Sequence, residues 1–431
     1  MGFENDMLFL SDHAQTKQGN DTIFSCYARY LNAVEAGADA VNGTIGALLL
    51  DDGMLAMNTV VIEEIKQAEM IEIAAYAPLK GVVEFLDLST SLASGESRTM
   101  LKEKGLSTTS IATPGGSGAL YVAAKCFLNP GESILLRDRY WGPYAGFIDG
   151  CGLGVETYPL LPSVQNEDHP FFDLDSFSNK LLSLATSQQH VMTWLNDPAH
   201  NPTGLSLPPE SRASLLDEFM RSASVHPNVG HTLLIDTAYH YYADEPHGWS
   251  DTIAEVIDAG FTWPENLLIC FALSLSKSHT IYGMRNGALI CLHPDTDVTA
   301  RLNEVLGVTG RQTWSASPRV SQQALCSLHS DAEKSKRWNN QLHQFHTILA
   351  ERRSTFVQKC QELNVPINPT HDGFFAWIES EHAAEIVEQC ANEHVYLVPL
   401  KGGIRIGLCA IPTTQITRVA EVLSRALSNT M

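Results

Sequence analysis

Short apolar runs alternate with amphipathic stretches across the middle of the chain. Ser133–Arg137, His190–Leu195, His231–Ile235, Leu267–Leu273 and Gly287–Leu292 are apolar on both faces, which predicts buried strands. Between them, Pro209–Ser224 places Leu215, Leu216, Phe219 and Met220 at helical spacing. Strands apolar on both faces and separated by helices imply a mostly parallel sheet covered on both sides. From about Arg319 a long helical region begins, with an expected break near Asp331. It leads to strand patterns at Phe374–Glu379, Tyr396–Pro399 and Ile404–Leu408, and to helical patterns at His382–Asn392 and up to Leu427. The expected class is α/β. A large domain over 51–320 would hold a mostly parallel sheet with helices on both faces, and a smaller α+β domain would span 321–431. Residues 1–50 would contribute to the smaller one.

Composition narrows the function classes. In 431 residues, Lys+Arg 28 against Asp+Glu 49 gives a net charge of −21, which argues against nucleic acid or an anionic membrane as partner. The 44% apolar fraction is that of a globular chain with a sizeable core. No run of 18 apolar residues occurs, and the start lacks the basic region of a signal peptide. The Met1-Gly2 start invites a lipidation reading that Asp6 defeats, because the pattern needs Ser or Thr there. Nine scattered cysteines without a CxxC pair suggest buried thiols in a reducing compartment, not a disulfide framework or a metal site. A cytoplasmic location is expected.

Four segments put glycine or polar residues where a strand ends. Thr113 to Leu120 (TPGGSGAL) runs into the helical stretch YVAAKCFL, and glycines before a helix let backbone N–H groups approach an anion. The same run could be a loop closing on its own helix. Asn196 to Gly204 (NDPAHNPTG) follows a strand and contains two turn dipeptides, so a plain corner explains it equally. Asp236, in DTAY ending at Tyr239, sits at the C-terminal end of a strand, where open α/β sheets bind ligands; a capping role is the alternative. Lys277 lies just past a buried strand, with Ser274 and Ser276 before it and Arg285 eight residues on. A desolvated lysine becomes nucleophilic, although a surface loop would account for Lys277 taken alone.

In this order the four segments resemble the fold-type I pyridoxal-phosphate enzymes, and within them the aspartate/aromatic aminotransferase family. Matching segments at Val41 to Gly46 (VNGTIG), Tyr76 to Gly81 (YAPLKG), Tyr140 to Tyr144 (YWGPY) and Gly403 to Ile406 (GIRI) extend the resemblance over most of the chain. It implies pyridoxal 5'-phosphate as cofactor. Lys277 matches the lysine that forms the internal aldimine and shuttles a proton, and Asp236 the carboxylate paired with the pyridine nitrogen. Asn201 and Tyr239 match the pair on the ring hydroxyl oxygen, and Trp141 the indole stacked on the ring. Phosphate would be met by Gly116, Ser117, Gly118, Ser274, Ser276 and Arg285. Tyr76 matches a tyrosine sent to the neighbouring subunit's phosphate, which implies a homodimer with shared active sites. Arg405 matches the arginine that binds the substrate α-carboxylate, with Gly46, Trp141 and Asn201 also at the substrate. Arg311, after the helical stretch Thr299–Val308, resembles the RxTWS arginine that enters the partner's site and binds a distal carboxylate; a helix-end arginine is the bland alternative.

The chain departs from that pattern at two places. Tyr144 stands where many aspartate enzymes carry a histidine three residues past the stacked tryptophan, and Asn196 lies near a second such position. These changes bear on substrate preference and pH behaviour. The expected activity is ping-pong transfer of an amino group between aspartate or an aromatic amino acid and a 2-oxo acid, 2-oxoglutarate first. A fold-type I lyase acting on C–S bonds, or a decarboxylase, would share the same cofactor motifs. A transcription regulator on this fold would need a basic DNA-binding module, for which the acidic chain offers no counterpart.

Overall fold

The strand residues that point to both faces of a sheet are apolar because both faces are covered. In the computed structural model, which describes residues 9–15, 17, 19, 21–164 and 167–430, strand β1 (Val41–Asn42) belongs to a small sheet. Strands β2 (Ser107–Pro114), β3 (Ser133–Arg137), β4 (Gly154–Tyr158), β5 (His190–Asn196), β6 (Gly230–Asp236), β7 (Leu267–Ser274) and β8 (Asn286–His293) form one large sheet in the order β2-β8-β7-β6-β5-β3-β4. In β6, Leu233 and Ile235 join the apolar cluster on one face and Leu234 the cluster on the other. The alternation repeats in β7, with Ile269, Phe271 and Leu273 against Cys270 and Ala272. The sheet is parallel except at β8, which is antiparallel to both β7 and β2. Only segment 275–285 joins β7 to β8. That is too short for a parallel crossover, so the chain turns back.

The five expected strands of this sheet are present, each within a residue or so of its expected bounds. Two expectations need correction. The helix expected to begin at the YVAAKCFL stretch begins at Gly115 and runs to Phe127, so the glycines form its first turn. The stretch Thr299–Val308 is part of a longer helix, Thr296–Thr313, and Arg311 lies inside it. Seven of the nine cysteines are buried, but Cys126 and Cys326 are only half-buried; none is in a disulfide.

In the C-terminal part, β9 (Phe375–Glu379), β11 (Val398–Leu400) and β12 (Gly403–Gly407) form an antiparallel sheet in the order β11-β12-β9, while β10 (Val395–Tyr396) pairs in parallel with β1. Val41 thereby shares an apolar core with Phe356, Ile386, Ile404 and Leu423. The long helical region is broken at Asp331 into Arg319–Ser330 and Ala332–Glu362. The Asp331 carboxylate accepts the N–H groups of Glu333 (2.9 Å) and Lys334 (3.0 Å), donors that a new helix start leaves free. Arg352, fully buried, ties the second helix to the Leu49 carbonyl (2.9 Å), the Cys409 carbonyl (3.0 Å) and Asp51 (2.7 Å). Among the described residues no helix is long and apolar enough to cross a membrane. Gly2 and Asp6, on which the lipidation reading turns, lie outside the described residues.

Candidate active site

The C-terminal ends of β2, β3, β4, β5, β6 and β7 face one edge of the large sheet. Because β8 runs the other way, its first residues reach the same edge. Strand order reverses around β3, whose neighbours β4 and β5 lie on opposite sides, and such switch points are where open α/β sheets bind ligands. A cleft opens there. Gly116, Ser117, Trp141, Asn201, Asp236, Tyr239, Ser274, Lys277 and Arg285, all expected from the sequence, line it, together with Leu120, Asn196 and Ala238, which were not.

Lys277 follows β7 in a four-residue helix, and its Nζ lies 4.9 Å from the centre of the Tyr239 ring. Burial lowers its amine to about 8; the Asp236 carboxylate opposes that shift and Arg285 adds to it. Asp236 ends β6 in register with Asn196, which ends β5. Burial raises the Asp236 carboxyl, against the hydrogen bond from Tyr144, the charge of Lys277 and the Ala238 N–H. Asn196 acts as a brace: its Nδ2 donates to the Asp236 carbonyl (2.9 Å), and its Oδ1 accepts the Asn201 N–H (2.7 Å). Asn201 Nδ2 in turn donates to the Tyr239 hydroxyl at 3.2 Å. Burial pushes the Tyr239 phenol upward.

The other end of the cleft suits an anion. The first N–H groups of the helix Gly115–Phe127 have no partner within the helix, and their dipole favours negative charge. Gly115 has φ +71°, and a Cβ there would stand 2.6 Å from the Arg285 guanidinium. Only glycine lets that turn and the guanidinium meet. Arg285 donates to the Ser276 hydroxyl (3.3 Å) and the Tyr282 carbonyl (3.0 Å), which aims it along the cleft wall. Ser276 is thus held against Arg285 and is not itself among the lining residues.

The remaining expected residues fall elsewhere. Gly118 faces Pro114, where a Cβ would come within 2.5 Å of the proline ring, so it serves close packing of the helix start. Arg405, on β12, is 2% exposed; it donates to the Thr44 carbonyl at 2.6 Å and lies 4.6 Å over the Phe375 ring. Its Nε is buried without a partner. Phe375 also packs on Tyr239 and beside Gly46, so Arg405 and Gly46 adjoin the cleft through that ring. Tyr76 is 89% exposed, and Arg311 is exposed with its guanidinium on the Ser315 hydroxyl (2.7 Å); neither reaches this chain's own cleft.

The residues fit a phosphorylated pyridine aldehyde. A lysine of lowered basicity, a buried carboxylate, an indole and a glycine–arginine anion cradle share one cleft, and Asn201, on its wall, keeps a buried amide oxygen without a partner. Sequence reasoning missed Asn196 as a wall residue. The signal was present: like Asp236, it ends an apolar strand run with a polar side chain.

The family model described as aminotransferase class I and II matches residues 39–423. The chain is 26% identical over 348 residues to a tyrosine aminotransferase of Klebsiella pneumoniae, covering 80% of this chain and 81% of that protein. It is 24% identical over 399 residues to an aromatic-amino-acid aminotransferase of Escherichia coli (strain K12), covering 90% and 94%. Among solved structures, an aminotransferase from Anaerococcus prevotii superposes with a TM-score of 0.88 at 24% identity, over 97% of this chain and 98% of that one. An aromatic-amino-acid aminotransferase from Burkholderia pseudomallei, covalently bound to pyridoxal phosphate, has a TM-score of 0.74 at 19% identity, over 97% and 100%.

Proposed function

The chain belongs to the class I and II aminotransferases, and from that membership we propose that it moves an amino group between an amino acid, aspartate or an aromatic one, and a 2-oxo acid, 2-oxoglutarate first. It is an aminotransferase dependent on pyridoxal 5'-phosphate. The observation that carries the residue assignment is the meeting, in one cleft, of the partly buried Lys277 amine, the Asp236 carboxylate and the Gly116–Arg285 anion cradle. When bound, the cofactor supplies an electron sink for the carbon that loses its proton. Lys277 anchors it and carries a proton on Nζ to and from the substrate. Asp236 holds a proton on the ring nitrogen. Asn201 and Tyr239 hydrogen-bond the ring hydroxyl oxygen, and Trp141 covers one ring face. The N–H groups at Gly116 and Ser117, the hydroxyls of Ser117 and Ser274, and Arg285 hold the phosphate, with Ser276 bracing Arg285; a guanidinium fork can bond two phosphate oxygens at once.

Arg405 takes the α-carboxylate. A guanidinium buried with a free N–H favours an incoming carboxylate over water. Gly46 leaves room beside it. In a homodimer, Tyr76 and Arg311 reach the partner's cleft, Tyr76 at the phosphate and Arg311 at a distal carboxylate; their exposure in the single chain supports that role. A cytoplasmic setting accords with nine free thiols.

Borohydride reduction of the holoenzyme followed by peptide mapping should mark Lys277, and amino donors assayed against 2-oxoglutarate should yield glutamate. A label on another lysine would displace the anchor assignment. Release of ammonia or carbon dioxide without glutamate would replace transamination by lyase or decarboxylase chemistry.

A further inference from the structure

Two donors hold the Asp236 carboxylate. The Ala238 N–H reaches Oδ1 at 3.0 Å, and the Tyr144 phenol reaches Oδ2 at 2.6 Å. Tyr144 does not line the cleft. It is 1% exposed, on the helix Pro143–Gly150, with its ring edge-on to the indoles of Trp141 (5.7 Å) and Trp194 (5.1 Å). One buried side chain therefore touches both the carboxylate and the indole of the cleft.

The titratable groups facing Asp236 are Lys277 after β7, Tyr239 after β6 and Tyr144. From β5 comes the Asn196 amide, which does not titrate. Burial, with the Asp236 charge adding to it, pushes the Tyr144 phenol far above its ordinary value. The phenol thus remains a donor throughout the neutral range, and a donor to a carboxylate makes one of the stronger hydrogen bonds.

We propose that Tyr144 is the positioning residue for Asp236: its hydroxyl fixes the direction of the carboxylate, and its ring ties that carboxylate to Trp141. This rests on the cofactor assignment above and extends it to a residue outside the cleft.

Tyr144→Phe tests it, because the ring stays between the two indoles and only the hydroxyl is lost. The apoenzyme is titrated with pyridoxal phosphate across pH 5–9 and followed by absorbance. Loss of a hydrogen bond to a charged group predicts roughly ten- to a hundredfold weaker binding. With one donor gone, the Asp236 carboxyl rises further, so the low-pH limb of the binding profile should move up by roughly one pH unit. Wild-type affinity and an unmoved limb in Tyr144→Phe would overturn the proposal. So would a Tyr144→Ala variant that loses affinity only in step with its Tm while Tyr144→Phe loses none, since that is packing alone. Failure of the wild-type apoenzyme to bind the cofactor would remove the cofactor assignment itself. Normal wild-type binding with an indifferent Tyr144→Phe removes only the positioning role.

Discussion

Lys277 lies where burial and two neighbouring charges compete. Its amine is lowered from 10.5 to about 8, so between those values the folded apoprotein binds fewer protons than the unfolded chain. Stability then rises with pH across that window, and the full cost of burying the ammonium is felt below it. Lys277→Met should stabilise the apoprotein at pH 7, by something on the order of 2 kcal/mol, and the gain should fade by pH 10. Thermal scans of both apoproteins at the two pH values decide it. A variant that melts lower at both would mean that the pairing with Asp236 outweighs burial. At this scale the sequence carried the wall residues that end apolar runs, Asp236 and Ser274 among them, because a polar residue closing a buried strand is visible in one dimension. The bond from Tyr144 to Asp236 was not visible, since 92 positions separate two residues that only the packing of a helix on the sheet brings together.

Gly115 shows how an element places chemistry. With φ +71° and the Arg285 guanidinium at its Cβ position, Gly115→Ala should force Arg285 aside and strain the helix start. Affinity for pyridoxal phosphate should fall at least roughly tenfold, the scale of one lost charged hydrogen bond. Binding of pyridoxal, which lacks the phosphate, should change little, and equal losses for both ligands would mean that the glycine serves the helix alone. The long helix Ala332–Glu362 depends on Arg352 in another way. Arg352→Met removes the partner of the Leu49 and Cys409 carbonyls and should cost about 2–4 kcal/mol in urea unfolding at pH 7, the scale of two orphaned buried acceptors. A loss under about 1 kcal/mol would show that water replaces those bonds. Strands β5 to β8 were legible because both faces are apolar. The Ser- and Thr-rich β2 (STTSIATP) and the half-buried β4 (GVETY) were not, since neither carries a continuous apolar run. The first turn of the helix Gly115–Phe127 was also hidden: glycine disfavours helix in general, and only the need for close backbone approach explains it here.

Across the whole molecule, Met70, Ile71, Ile73, Tyr76 and Val83 are each more than half exposed and lie within one stretch of chain. With a net charge of −21, two copies repel, so a dimer would have to be held by such apolar contact. Sedimentation should give a dimer. A mixture of Tyr76→Ala and Lys277→Ala subunits should recover part of the activity each lacks, because one hybrid cleft is intact; no recovery after proven subunit exchange would put Tyr76 outside the partner's site. The reversal of β8 has a corollary for engineering. It brings Arg285 to the edge where six parallel strands end, and leaves the opposite edge with connections such as 129–132, 226–229 and 264–266, none of which contributes to the cleft. A reporter peptide spliced between the exposed residues Pro227 and Asn228 should be carried as inert cargo with turnover intact. The same peptide spliced between Gly283 and Met284 would lengthen the one tether that keeps Lys277 and Arg285 in step, and the purified protein should emerge colourless.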